Sequence, residues 1–185
     1  MSVIHRPLGF LLSLLGACAT AGAPEPAAPS ADVAPAESDG APVVAIPNGA
    51  QPTPEITTGG QPSAEHLQAA ARQGIRTVIS LRPLGEAGSE GEQQRVEELG
   101  MRFVSIPIAG AADLTEDNAR KLAEALAADG ALPAIVHCGS GNRAGALLAL
   151  KAFLVDGESP AAALDLGKRA GLTKLEPAVR ERLGL

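Results

Sequence analysis

Tryptophan and tyrosine are absent from this chain, and phenylalanine occurs only at Phe10, Phe103 and Phe153. Without aromatic rings there is no platform on which the bases of a single-stranded nucleic acid could stack. Positive charge is also scarce. Lys and Arg number 15 against 21 Asp and Glu, a net charge of −6, so the basic surplus of a nucleic-acid binder is missing and no nucleic acid is expected as a partner. His5, His66 and His137 share no local spacing with one another, with cysteines or with paired carboxylates, so no metal-ligand cluster is legible. No nucleotide-binding motif stands out either, and no cofactor is expected. The core must be built from Ala, Leu, Val and Ile.

The chain is short of cysteine as well, with only Cys18 and Cys138. Met1 to Arg6 carries positive charge, and Leu8 to Ala17 is an apolar run too short to span a bilayer but suited to a signal-peptide core. It ends in Leu15-Gly16-Ala17-Cys18, which resembles a bacterial lipobox, whose Cys becomes the lipidated first residue of the mature protein. The competing reading is ordinary cleavage after Ala19 or Ala23. Residues 1–18 are therefore read as a signal peptide with lipobox, and 19–52, rich in Ala, Pro, Gly, Ser and acids, as a disordered tether. Ala19, rather than Asp, points to the outer membrane, with the protein anchored and facing the periplasm. Val43-Val44-Ala45-Ile46 is an apolar exception, an edge strand or a docking segment. With Cys18 lipidated or removed, Cys138 has no disulfide partner, and an unpaired thiol in an oxidising compartment is a liability unless buried or used.

Residues 53–185 alternate between strand and helix signals. Ser63 caps a helix running to Gln73, which Gly74 ends. Ile75–Leu81 is β-branched and reads as a strand, stopped by Arg82-Pro83. Ser89 and Glu92 form a capping box for a helix ending at Gly100. Met101–Ile108 is a second strand. Thr115 caps a helix through Ala128. Pro133–His137 is a third strand, Ala144–Val155 a nearly apolar helix, and two short helices follow near 160–170 and 175–183. This order implies an α/β three-layer sandwich with a mainly parallel sheet of four to five strands. In such sheets ligands bind at the carboxyl ends of the strands.

One of those ends carries Ile135-Val136-His137-Cys138-Gly139-Ser140-Gly141-Asn142-Arg143-Ala144-Gly145. A strand ends in a thiol, a glycine-rich loop follows, and a helix begins. The unpaired N–H groups of residues 139–143 and the helix dipole favour an anion and favour thiolate over thiol. Arg143 adds a planar, permanently charged fork suited to a tetrahedral oxyanion. Taken singly, each part has a structural reading: a buried Cys, a tight turn, a solvated Arg. Together at this spacing they point to covalent transfer from an anionic substrate. Gly139, Ser140, Gly141 and Asn142 form the candidate cradle. Arg82 and the loop Ala109–Leu114 can reach the same rim.

His137-Cys138, the glycine-rich loop and Arg143 resemble the cysteine-dependent protein-tyrosine and dual-specificity phosphatases, over about residues 55–185. Ile56-Thr57-Thr58-Gly59-Gly60-Gln61-Pro62, Val78-Ile79-Ser80-Leu81-Arg82-Pro83 and Ile106-Pro107-Ile108 are similar to the bacterial phosphatase-like domain fused elsewhere to β-lactamase-hydrolase-like proteins, also called domain of unknown function 442. The resemblance implies a phosphatase-like fold and a small phosphorylated substrate. It also implies Cys138 as the nucleophile of a phosphocysteine intermediate, Arg143 and the loop N–H groups on the phosphoryl oxygens, and His137 orienting the loop. Asp113 would be the general acid, with Asp117 as the other option. Two departures accompany it. Four residues separate Cys138 from Arg143 where the phosphatase signature has five, and Ala144 stands where a Ser or Thr hydroxyl usually supports the thiolate. Ser140 can replace that hydroxyl only if the loop turns it inward. Rhodanese-type sulfurtransferases also run Cys, four residues, Arg, so a persulfide enzyme and a non-catalytic anion-binding module stand as alternatives.

Overall fold

The structure is a computed structural model, and it describes residues 44–185. The expected signal peptide, the lipobox with Cys18 and most of the tether lie outside these residues. Five strands, β1 (Ala50–Thr53), β2 (Ile56–Gly59), β3 (Thr77–Ser80), β4 (Arg102–Ser105) and β5 (Ala134–His137), form one sheet in the order β1-β2-β5-β3-β4. All neighbours are parallel except the edge pair β1 and β2. The helices are α1 (Ala64–Arg72), α2 (Glu92–Glu98), α3 (Glu116–Ala127), α4 (Asn142–Leu154), α5 (Pro160–Arg169) and α6 (Glu176–Leu183). No helix of the described residues is long and apolar enough to cross a membrane.

The central strands are buried on both faces, and alternate residues divide between two cores, as the period of a strand requires. Val78 and Ile135 pack with Leu67 of α1, Val96 of α2, and Val44 and Ile46. Ile79, Ala134 and Val136 pack with Leu122 of α3 and with Leu147 and Leu150 of α4. The expected three layers are thus present, α1 and α2 on one face and α3 to α6 on the other.

Two expectations are corrected. The folded part begins before residue 53: Val44 and Ile46 are buried and β1 starts at Ala50. Val44–Ile46 is therefore the docking alternative, a segment laid against the α1 core. The hairpin β1–β2 had no strong signal, because its short, Pro- and Thr-rich strands lack an alternating apolar pattern. The Ser89–Glu92 capping box does not form. The Ser89 hydroxyl donates to the carbonyl of Glu86, Gly91 is the residue before α2, and Glu92 is buried, 2% exposed. By contrast, Ser63 and Thr115 cap α1 and α3 as expected, each accepting the N–H three residues on.

The register positions the site. Gly59, His137, Ser80 and Ser105 sit opposite one another across four parallel strands. The segments that follow them therefore leave the same edge side by side: 60–62, 81–91, 106–114 and 138–141. Helix α4 rises from the last of these, buried from Ala144 through Leu150. It meets α5 at almost backbone contact. A Cβ on Gly145 would lie 2.3 Å from Leu172 N and 2.6 Å from Gly167 O.

Gly145→Ala must therefore push α4 from its neighbours. It is expected to destabilise the fold by about 1–3 kcal/mol, the usual cost of overpacking. The measurement is urea unfolding, with a lowered midpoint and an unchanged slope.

Candidate active site

Cys138 follows β5 and points into the α4 core, fully buried, while His137 points to the opposite face. The chain then turns through Gly139 and Ser140 to Gly141, whose φ of +94° is a left-handed conformation that side chains resist. That turn directs the Gly141 N–H to Cys138 Sγ at 3.1 Å. Burial alone would raise the thiol pKa. The N–H groups of Ser140, Ala144, Arg143 and Gly141 outweigh it and hold the thiol below its ordinary value. Ser140 itself is exposed and contributes its N–H, and Gly60 bridges to it from the neighbouring strand end. Asn142 faces outward: its Oδ1 accepts from Thr173 N at 2.9 Å, Thr173 Oγ1 at 3.2 Å and Leu175 N at 3.2 Å, tying the start of α4 to the segment before α6.

Arg143 stands at the first turn of α4, where the helix dipole disfavours a cation. It is held by a carboxylate that sequence reasoning did not single out. Glu86 takes both terminal nitrogens, Nη1 to Oε2 and Nη2 to Oε1, each at 2.8 Å, and Nη1 also donates to Ile108 O at 3.0 Å. A guanidinium has five N–H donors in one plane. Those bonds use its far end, leaving the edge formed by Nε and Nη2, the edge suited to a bidentate oxyanion. The Cys138 thiol also acts on the Arg143 guanidinium, helping to hold its pKa up after Glu86.

Arg82 is buried, and its guanidinium is already committed. Nε donates to Glu86 Oε1 at 2.8 Å, Nη1 to Gln61 Oε1, and Nη2 to the Ala87 carbonyl. It reaches the rim through Glu86 rather than with free donors. Gln61 Nε2 in turn donates to Glu92 Oε1 at 2.6 Å, and His137 Nε2 lies 3.1 Å from the same oxygen. His137 therefore meets a carboxylate of α2, not the backbone.

Asp113 lies in a short 3-10 helix, Ala111–Asp113, on the segment that begins at Ile108, the carbonyl partner of Arg143. Its Oδ2 accepts from Ala109 N at 2.7 Å and Gly110 N at 3.3 Å, which shapes the loop around the carboxylate. Asp117 is an exposed residue of α3, ion-paired with Lys121 at 2.6 Å. No group of three or more His, Cys, Asp or Glu among the described residues is arranged to hold a metal ion.

The residues missed were Gln61, Glu86 and Glu92. Glu86 had a usable signal, since it sits four residues after Arg82 and two arginines aimed at one rim need an anion between them. Glu92 had none, because its spacing from Ser89 reads as a cap.

A parallel sheet with a thiol sealed beneath backbone N–H groups, beside a braced arginine, defines a phosphatase-like α/β domain. The family model described as beta-lactamase hydrolase-like protein, phosphatase-like domain, matches residues 50–154, and the chain belongs to that family. It is 34% identical over 107 residues to a beta-lactamase hydrolase-like protein of Xylella fastidiosa. That match covers 55% of this chain and only 24% of the relative. Among solved structures, the core catalytic domain of the PP-IP phosphatase SIW14 from S. cerevisiae superposes with a TM-score of 0.56 at 19% identity, over 75% of this chain and 87% of that one. Kinase associated phosphatase, solved with its catalytic site cysteine replaced by serine, gives 0.53 at 19% identity, over 70% and 87%. These relatives lend no support to the sulfurtransferase alternative.

The Arg143 contact holds the Glu86 carboxyl down, burial opposes it and Arg82 assists, leaving the pKa at about 2. Because this folded value lies below the ordinary 4.5, the stabilisation is complete above about pH 4.5 and is lost as pH falls toward 2. With the side chain 31% exposed, the contribution is discounted to roughly 1–3 kcal/mol. Glu86→Gln should lower stability at pH 6 and flatten the loss between pH 4.5 and 2. Urea midpoints across that range, for parent and variant, measure it.

Proposed function

We propose that this domain is a cysteine-dependent phosphoric monoester hydrolase. The observation that carries the reading is Cys138 Sγ 3.1 Å from the Gly141 N–H, in a turn whose N–H groups lower its pKa, with the braced guanidinium of Arg143 on the same turn. The thiolate attacks phosphorus, forming a P–S bond as the ester P–O bond breaks. The loop N–H groups and Arg143 bind the three non-bridging oxygens, whose charge they stabilise most strongly in the transition state. Asp113, as general acid, protonates the leaving oxygen. It then takes a proton from water, which attacks phosphorus and frees the thiolate. His137 orients the loop from behind.

The proposal includes the cellular setting: lipidation at Cys18 and a tether that holds the domain at the periplasmic face of the outer membrane. That setting favours small phosphoesters or envelope polymers as substrates over intracellular phosphoproteins.

Intact-mass analysis after mixing with an aryl phosphate should reveal a transient phosphate adduct that Cys138→Ser abolishes. Absence of both adduct and turnover would sink the hydrolase reading, and a single-sulfur adduct from thiosulfate would replace it with sulfur transfer. Asp113→Asn should slow poor leaving groups by about 10²–10⁴-fold and good ones far less; an equal effect on both would place the acid elsewhere. Cys18→Ala should move the protein from the membrane fraction to the soluble one, and retention would refute the lipid anchor.

A further inference from the structure

Six polar side chains follow one another in contact around the cysteine loop. Arg143 meets Glu86, Glu86 meets Arg82, Arg82 meets Gln61, Gln61 meets Glu92, and Glu92 meets His137. The series starts on the loop's arginine and returns to the residue before its cysteine. Glu92 is the junction. Its Oε1 accepts from Gln61 Nε2 at 2.6 Å and lies 3.1 Å from His137 Nε2, while Oε2 and both ring nitrogens of His137 make no hydrogen bond among the described residues. A carboxylate and an imidazole 2% and 0% exposed are costly to bury with open valences. The helix dipole favours an acid at Glu92, the first residue of α2, but it does not account for the polar contacts with Gln61 and His137.

We propose that Glu92 is a positioning residue for the cysteine loop, the shared acceptor at which two limbs meet. One limb runs through His137 to Cys138. The other runs through Gln61, Arg82 and Glu86 to Arg143.

The direction of the second limb follows from donor and acceptor types. Arg82 can only donate, so the Gln61 amide turns its oxygen to Arg82 and its nitrogen to Glu92, whose Oε1 accepts it. An amide at position 92 could turn its NH2 toward Gln61 Nε2, donor against donor, and the contact that holds Gln61 would be lost. With Gln61 fixed, Arg82 is fixed, Glu86 is carried against Arg143, and the free edge of the Arg143 guanidinium is aimed. Glu92 touches neither the thiol nor any oxyanion, so its effect is confined to where those groups point. The inference rests on reading the loop as an oxyanion site, and its test avoids turnover so that the two can fail separately.

Two readouts on the whole chain serve: the rate of Cys138 alkylation by iodoacetamide at pH 7, and the ¹⁵N–¹H resonance of Arg143 Nε, assigned by its loss in Arg143→Lys. Glu92→Gln should change the alkylation rate by about tenfold and displace or broaden the Arg143 signal, a size usual for coupled buried groups. Gln61→Leu should disturb the Arg143 signal and leave alkylation within about twofold, whereas His137→Asn should do the reverse. The idea is overturned if Glu92→Gln leaves both readouts at parent values. It is equally overturned if Gln61→Leu and His137→Asn each move both readouts together, as a generally loosened fold would. Should Glu92→Gln fail to fold, the opposite responses of Gln61→Leu and His137→Asn decide the matter alone. Failure to hydrolyse an aryl phosphate with this pattern intact would remove the hydrolase reading and leave the positioning role standing.

Discussion

Arg143 is a permanent charge placed where helix α4 least favours one, and the site depends on how that charge is answered. Glu86 answers it end-on, with two bonds of 2.8 Å, and Ile108 takes a third donor. This arrangement does more than cancel charge. Glu86 belongs to the segment after β3, Ile108 to the segment after β4, and Arg143 to the helix after β5, so a single guanidinium gathers three of the four segments that leave the same sheet edge. An end-on carboxylate also decides which edge of the plane stays open. An arginine held side-on by the same acid would instead leave its Nη1–Nη2 end open.

The thiol is served by backbone rather than by basic side chains. Four N–H groups from residues 140–144 lower its pKa against the opposing effect of burial. This explains why the two departures from the phosphatase signature are tolerable as geometry. Ala144 has no hydroxyl, yet its N–H acts on Cys138. A loop of four intervening residues still closes around Sγ because Gly141 adopts φ +94° and starts the helix one residue before Arg143. Donors that belong to the peptide chain cost no side-chain entropy to hold and need no reorganisation as charge develops.

Much of this was legible in the sequence, for identifiable reasons. The loop from Cys138 to Arg143 is contiguous, so its geometry follows from a strand, glycines and a helix in that order. The caps at Ser63 and Thr115 are local, and the β-branched runs of β3 and β5 are dense enough to read alone. What escaped was non-local or disguised. β1 and β2 are polar, four-residue strands whose identity comes from pairing. Glu86 and Gln61 acquire meaning only when the register of β2, β3 and β5 brings residues 61, 86 and 143 to one edge. Glu92 carried a misleading local signal: three residues after Ser89, it reads as a capping residue that would face solvent, whereas the pairing with Gln61 and His137 turns it into the core.

The poverty of aromatic residues, first visible as an exclusion, has a structural consequence of its own. A core of Ala, Leu, Val and Ile has few large side chains to span the space between layers, so elements must approach closely to reach normal packing density. Helix α4 does this at Gly145, where α5 and Leu172 come so near that a methyl group would strike backbone atoms. That contact is one turn from the cysteine loop. Close packing fixes the first turn of α4, the first turn carries the N–H groups of Arg143 and Ala144, and those N–H groups lower the Cys138 pKa. The lowering of the Cys138 pKa thus depends on how tightly a helix with few bulky side chains in its first turn can be pressed against its neighbour. A larger residue at position 145 would alter the site by displacing the loop's donors, without touching substrate.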